Sequence, residues 1–189
     1  MDALFTSTAV VALAEIGDKT QLLAILLATR FRKPVPIIFG ILVATLANHF
    51  FAALLGASVA SIFQSAWFHY LVAAGFLAMA IWTLIPDKID DLEDKPARFG
   101  AFLTTTVAFF LVEMGDKTQI ATVALGAQFQ QVVLVTIGTT IGMLLANVPA
   151  VFVGHELLRR VPLKVVRFVA AGLFAIIGLW LLIQGPGSL

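Results

Sequence analysis

The sequence predicts an all-α integral membrane protein of six transmembrane helices, arranged as two inverted-topology three-helix repeats. Three observations predict it: an apolar composition, six apolar runs separated by turn or charge signals, and a seven-residue string that occurs twice. Of the 189 residues, 60% are hydrophobic and 12% charged. Mean hydropathy is +1.02. Soluble domains carry about 25% charged residues and about 45–50% apolar ones, so most of this chain's surface must face lipid. A bilayer core takes about 20 residues per helix, which leaves no room for a separate soluble domain. Cys is absent, which excludes disulfides, thiolate metal sites and cysteine chemistry.

The first run, 3–28, is apolar at both ends and holds Glu15, Asp18, Lys19, Thr20 and Gln21 in its middle. No basic stretch precedes it, so it reads as a retained helix rather than a cleaved signal peptide. RFRKPVP separates it from 35–60, and SIFQSAWFH separates that from 67–86. PDKIDDLEDKPARFG then leads to 100–128, GAQFQQ to 131–154, and HELLRRVPLK to 163–184. Pro34, Pro36, Pro86, Pro96 and Pro162 sit at the edges of these runs, where a missing N–H costs little. The division expected is a first repeat at 1–86, an acidic solvated linker at 87–99 and a second repeat at 100–189.

Lys19 and Lys117 lie inside apolar runs. The other ten basic residues are Arg30, Arg32, Lys33, Lys88, Lys95, Arg98, Arg159, Arg160, Lys164 and Arg167. All fall in or beside the first, third and fifth connections. Lys and Arg bias orients membrane proteins, so those connections are expected in the cytoplasm and both termini outside.

EIGDKTQ at 15–21 recurs as EMGDKTQ at 113–119, an offset of 98. ATLAN at 44–48 matches MLLAN at 143–147, and VAAGFLA at 72–78 matches VAAGLFA at 169–175. One order and nearly one spacing make the chain two copies of a three-helix unit. An odd number of spans per copy inserts the second upside down. That is the plan of transporters whose sites lie at mid-membrane between repeats.

Six ionisable groups therefore sit in apolar segments: Glu15, Asp18, Lys19, Glu113, Asp116 and Lys117. Each costs roughly 2.5–3.5 kcal/mol at mid-helix if left unpaired, so they must face the interior and pair. In a continuous helix, Glu15, Asp18 and Lys19 share one face with Gln21 at its margin, and Glu113, Asp116, Lys117 and Gln119 repeat this. Thr20 and Thr118 support the two motifs. Asn48 and Asn147, midway along the following helices, can add amide oxygens or act as interhelical glue. Gly17 and Gly115 read as helix-packing glycines in preference to points of local unwinding, and Met114 as a packing residue. His69 and His155 read as solvated.

The expected result is four carboxylates, Glu15, Asp18, Glu113 and Asp116, ringed by amide and hydroxyl oxygens. Hard divalent cations want such ligands, whereas zinc and copper favour nitrogen and sulfur. With Lys19 and Lys117 as charge balance, the cluster sums to −2, which one divalent cation or two protons neutralise. Clustered carboxylates disfavour one another's ionised form, so protons can take the metal's place. The alternative without function is a pair of plain i,i+4 ion pairs, Glu15 with Lys19 and Glu113 with Lys117. It leaves both aspartates unexplained.

The duplicated E-x-G-D-[KR]-[TS] signature is complete at Glu15-Ile16-Gly17-Asp18-Lys19-Thr20 and Glu113-Met114-Gly115-Asp116-Lys117-Thr118. One copy per half of a small six-span chain resembles the Golgi, chloroplast and bacterial manganese/calcium transporters, the second calcium/cation antiporter family. The nearest likeness is to its bacterial manganese exporters. The resemblance implies a transporter rather than an enzyme. It implies export of Mn2+, and in some members Ca2+, in exchange for protons, with the motif carboxylates as the cation site. It implies a multi-pass protein of the bacterial inner membrane, with lipid, cation and protons as partners. No resident cofactor and no nucleic acid is expected, and the oligomeric state stays open between monomer and homodimer. Three rival readings are export of a small amino acid or other polar solute, an intramembrane aspartyl protease and a passive cation channel.

Overall fold

Each motif string breaks its own helix. The computed structural model describes residues 3–63, 66–85, 100–153 and 163–184. In chain order the described helices are α1 (Ala3–Glu15), α2 (Lys19–Phe31), α3 (Pro34–Ile62) and α4 (Ala66–Thr83). The second half follows with α5 (Ala101–Glu113), α6 (Lys117–Phe129), α7 (Val132–Val153) and α8 (Leu163–Gln184). The bounds of α5 and α6 repeat those of α1 and α2 at an offset of 98 (101 against 3, 117 against 19). Even the left-handed residues that end α2 and α6, Arg32 and Gln130, correspond, with φ of 52° and 51°.

The runs 3–28 and 100–128 are thus not continuous helices, and Gly17 and Gly115 are not mid-helix packing residues. They stand at φ 81° and 78°, a conformation that glycine adopts at little steric cost. The side chains that follow stabilise the break. The Gly17 N–H donates to Gln21 Oε1 at 2.9 Å, and the Gly115 N–H to Gln119 Oε1 at 2.7 Å. The Asp18 and Asp116 N–H groups each reach the preceding Glu carbonyl at 3.0 Å. Backbone groups freed by unwinding are thereby paired inside the bundle. Helix-compatible neighbours concealed this in the sequence, because the signal is the Gln four residues after the Gly.

The two halves interlock. The heaviest packing sets α1 on α7, α3 on α5 and α6, and α4 on α8. Glycines permit the close approach that lipid-embedded helices need. A Cβ on Gly56 would stand 2.0 Å from the Val123 carbonyl oxygen, and one on Gly126 2.4 Å from that of Ala53. Phe76 meets Phe174 at 6.4 Å between ring centres where α4 crosses α8. Large apolar side chains such as Phe5, Phe51, Ile62 and Ile183 point outward. Three described helices, Pro34–Ile62, Val132–Val153 and Lys164–Gln184, are long and apolar enough to cross a bilayer.

His69 is buried rather than solvated, because its Nε2 finds the Leu181 carbonyl oxygen at 2.6 Å across the α4–α8 contact. Met114, expected to pack, is 57% exposed, since unwinding after Glu113 turns it outward. The acidic linker 87–99, Pro86, Pro162, His155, Arg159 and Arg160 lie outside the described residues.

Candidate cation site

Four helix ends meet where the strings break. α1 and α5 end on Glu15 and Glu113, and α2 and α6 begin just after Asp18 and Asp116. An Asp at a helix N-cap ordinarily accepts a backbone N–H from the first turn. Neither Asp18 nor Asp116 makes such a bond. Instead, carboxylate oxygens of Glu15, Asp18 and Asp116 lie within 4.8 Å of one another, and all three residues are buried. Oxygens bound to one hard cation at 2.1–2.6 Å stand about 3 Å apart when adjacent and about 4–5 Å apart when opposite. The spacing fits a single such ion, with ligands drawn from both halves of the chain.

Glu15 is fully buried. Its Oε2 accepts the Thr20 hydroxyl and, at 3.4 Å, Asn147 Nδ2. Its Oε1 and the Asn147 Oδ1 have no hydrogen-bond partner among the described residues. Two buried oxygen acceptors without a donor, beside two further carboxylates, make a donor set of the kind a divalent cation can complete.

The expected cluster of four becomes three plus one. Glu113 is fully buried, but Thr45 donates to its Oε1 at 3.2 Å and Asn48 to its Oε2 at 3.1 Å. Both oxygens are thus held on α3, and Glu113 is not among the three that converge. Asn48 also donates to the Phe110 carbonyl at 3.0 Å. It therefore ties α3 to α5 and positions a carboxylate at once. Thr45 was missed in the sequence; its place one turn before Asn48, inside ATLAN, was the available signal.

The aspartate and glutamate of each motif do not share a helix face, since the break divides them. Lys19 reaches across the halves to Asp116 Oδ1 at 2.9 Å. Lys117 is buried and donates to the Ile85 carbonyl at 2.9 Å. Thr118 bonds Asp116 at 3.4 Å. Gln21 binds the Ala146 carbonyl at 2.8 Å as well as Gly17, so both motif glutamines serve the backbone of the break. A small space of about 10 Å3, room for about one water, lies beside Asp18 and is lined by Ala14, Ile16, Gly17, Thr83, Lys117 and Arg167.

A family model described as "Divalent cation/proton antiporter GDT1" matches residues 3–91 and 101–188. A protein of Vibrio cholerae serotype O1, provisionally named a manganese exporter, is 52% identical over 180 residues. That match spans 95% of this chain and 90% of the relative. GDT1-like protein 5 of Arabidopsis thaliana is 25% identical over 211 residues, 92% of each chain. GDT1-like protein 3 of Oryza sativa subsp. indica is 28% identical over 199 residues, covering 92% of this chain and 71% of its own. No solved structure matches the chain.

Proposed function

Because the chain belongs to the GDT1 family of divalent cation/proton antiporters, we propose that it exports Mn2+ from the cytoplasm in exchange for protons. Glu15, Asp18 and Asp116 hold the ion. The observation that carries this reading is their convergence within 4.8 Å from opposite halves of the chain. Asn147 adds an amide oxygen, and Glu113 is the neighbouring carboxylate that exchanges a proton as the ion arrives or leaves. The Mn2+ assignment follows the Vibrio relative, while an all-oxygen donor set also admits Ca2+.

The proposed architecture has six spans in two inverted repeats. α1–α2 and α5–α6 each cross as a broken pair of 13-residue helices, since about 20 residues are needed to span. Broken helices at mid-depth present exposed carbonyls and helix ends to ions. The bias of Lys and Arg toward the first, third and fifth connections supports their placement in the cytoplasm, with both termini outside a bacterial inner membrane. One divalent ion exchanges for two protons, which makes the cycle electroneutral.

The deciding experiment is Mn2+ and Ca2+ uptake into proteoliposomes under a proton gradient, comparing the natural protein with Glu15→Gln, Asp18→Asn, Glu113→Gln and Asp116→Asn. Loss of uptake in the three triad variants is expected. Full transport by all four would reject the site, and a clearly electrogenic cycle would reject the two-for-one exchange.

A further inference from the structure

Glu15 and Glu113 correspond across the repeat, yet the atoms around them differ in kind. On α3, Thr45 and Asn48 donate to the two oxygens of Glu113. The matching positions on α7 are Leu144 and Asn147. Leu144 has no hydroxyl to give, and Glu15 Oε1 is left without a partner among the described residues. One residue earlier the second half gains an atom that the first half lacks. Met143 stands where α3 has Ala44.

Met143 is fully buried. Its Sδ lies 2.9 Å from Asn147 Nδ2. The same nitrogen meets the Met143 carbonyl at 3.1 Å and Glu15 Oε2 at 3.4 Å. One amide thus joins the sulfur to a carboxylate of the converging three, and its own Oδ1 keeps no partner among the described residues. A thioether sulfur is a weak acceptor with two lone pairs, so a single N–H leaves one of them over. Packing alone does not call for sulfur here. Leu matches Met in helix propensity and nearly in volume, and Leu144 and Leu145 follow directly. The other described methionines stand elsewhere: Met114 is 57% exposed, and Met79 packs in one apolar cluster with Phe76 and Phe174.

We propose that Met143 determines which divalent ions the site accepts, its sulfur joining the oxygens of Glu15 and Asn147 about the ion. The assignment rests on the cation-site reading above and deepens it. A shell of oxygen alone suits Ca2+ and Mg2+ as well as Mn2+. A thioether puts a softer, more polarisable atom in place of one oxygen. The hard ions Ca2+ and Mg2+ lose most by trading a water oxygen for it. Mn2+, a transition metal, loses less, and a soft ion such as Cd2+ gains. The three rotatable bonds of the Met side chain let the sulfur follow the ion while α7 stays in place.

Cd2+ and Ca2+ are nearly equal in radius and differ in softness, so their relative affinities report the sulfur rather than the size of the site. Equilibrium binding of Cd2+, Mn2+ and Ca2+ is measured on the full-length protein in detergent, for the natural chain, Met143→Leu and the control Met79→Leu. Met143→Leu is expected to lower the ratio of Cd2+ to Ca2+ affinity about tenfold and that of Mn2+ to Ca2+ several-fold. Met79→Leu is expected to change neither ratio. Unchanged ratios in Met143→Leu, equal weakening of all three ions, or the same shift in Met79→Leu overturns the assignment. X-ray absorption of Cd2+ bound to the natural protein needs no variant. A sulfur neighbour of the cadmium is expected, and a shell of oxygen alone overturns the proposal. Failure of the natural protein to bind any of the three ions would reject the cation site and this inference with it. A Cd2+ preference that Met143→Leu abolishes, in a protein that moves no Mn2+ in proteoliposomes, would sustain the sulfur and reject manganese export alone.

Discussion

Lys19 and Asp116, 97 positions apart in the chain (116 against 19), meet at 2.9 Å across the junction of the two halves. Asp116 is also one of the three carboxylates that converge. In the proposed site the ammonium group therefore occupies one oxygen, and an arriving ion would compete with it.

Replacing Lys19 with Met tests that competition. The variant leaves the site one charge more negative, which favours the divalent ion and slows its departure. Lys19 is 30% exposed and screened by water, so the effect is well below that of a buried pair. A gain of about 1.4 kcal/mol would lower KM tenfold, and a fall of that order or less is expected, with Vmax falling alongside. Transport kinetics in proteoliposomes check it; unchanged KM and Vmax would mean that Lys19 only fastens the halves together.

The break glycines make a backbone prediction. Gly115 has φ of 78°, and a Cβ there would meet nothing within 4 Å. Substitution therefore probes conformation without crowding. Gly115→Ala is expected to cost about 1–2 kcal/mol, seen as a lower unfolding temperature in detergent. Gly115→Asn should cost less, because Asn tolerates the left-handed region better. Equal losses for Ala and Asn would show that backbone strain is not the cause.

The sequence reveals the all-helical class and the duplication, and points to the residues of the proposed site, more fully than it reveals the shape. Composition and the repeated string are one-dimensional signals, and both Asn48 and Asn147 could be placed beside the motifs from their offset alone. The break stays one of two sequence readings of Gly17 and Gly115, because every residue near them tolerates a helix and φ decides for unwinding. The exclusion of Glu113 from the converging three was equally hidden. It depends on Thr45 and Asn48 reaching across from the first half, a contact between residues 68 and 65 positions apart. Pairings across a repeat interface leave no periodicity to read.

Close helix approach gives a sharper contrast. Gly56 and Gly172 both lie within helices, yet a Cβ on Gly56 would stand 2.0 Å from the Val123 carbonyl oxygen and one on Gly172 would meet nothing within 4 Å. Gly56→Ala must push α3 from α6, and overpacking of this kind typically costs about 1–3 kcal/mol. Gly172→Ala is expected to be neutral or to stabilise by up to about 1 kcal/mol, the helix-propensity difference. Thermal unfolding of the two variants in one detergent checks the pair, and a similar change in both would refute the α3–α6 contact.

In the proposed cycle Glu113 separates ion binding from proton coupling. Its oxygens are taken by Thr45 and Asn48, and the converging oxygens belong to Glu15, Asp18 and Asp116. Glu113→Gln preserves its shape and one acceptor while removing the group that can gain and lose a proton. The variant is expected to bind Mn2+ within about threefold of the natural protein, less than 1 kcal/mol, measured by equilibrium binding in detergent. Its Mn2+ flux in proteoliposomes should no longer respond to a pH gradient. Asp116→Asn, by contrast, removes a converging carboxylate and should abolish binding itself. If Glu113→Gln loses binding as completely as Asp116→Asn does, Glu113 is a ligand in another conformation, and the division of labour between the three carboxylates and the fourth is wrong.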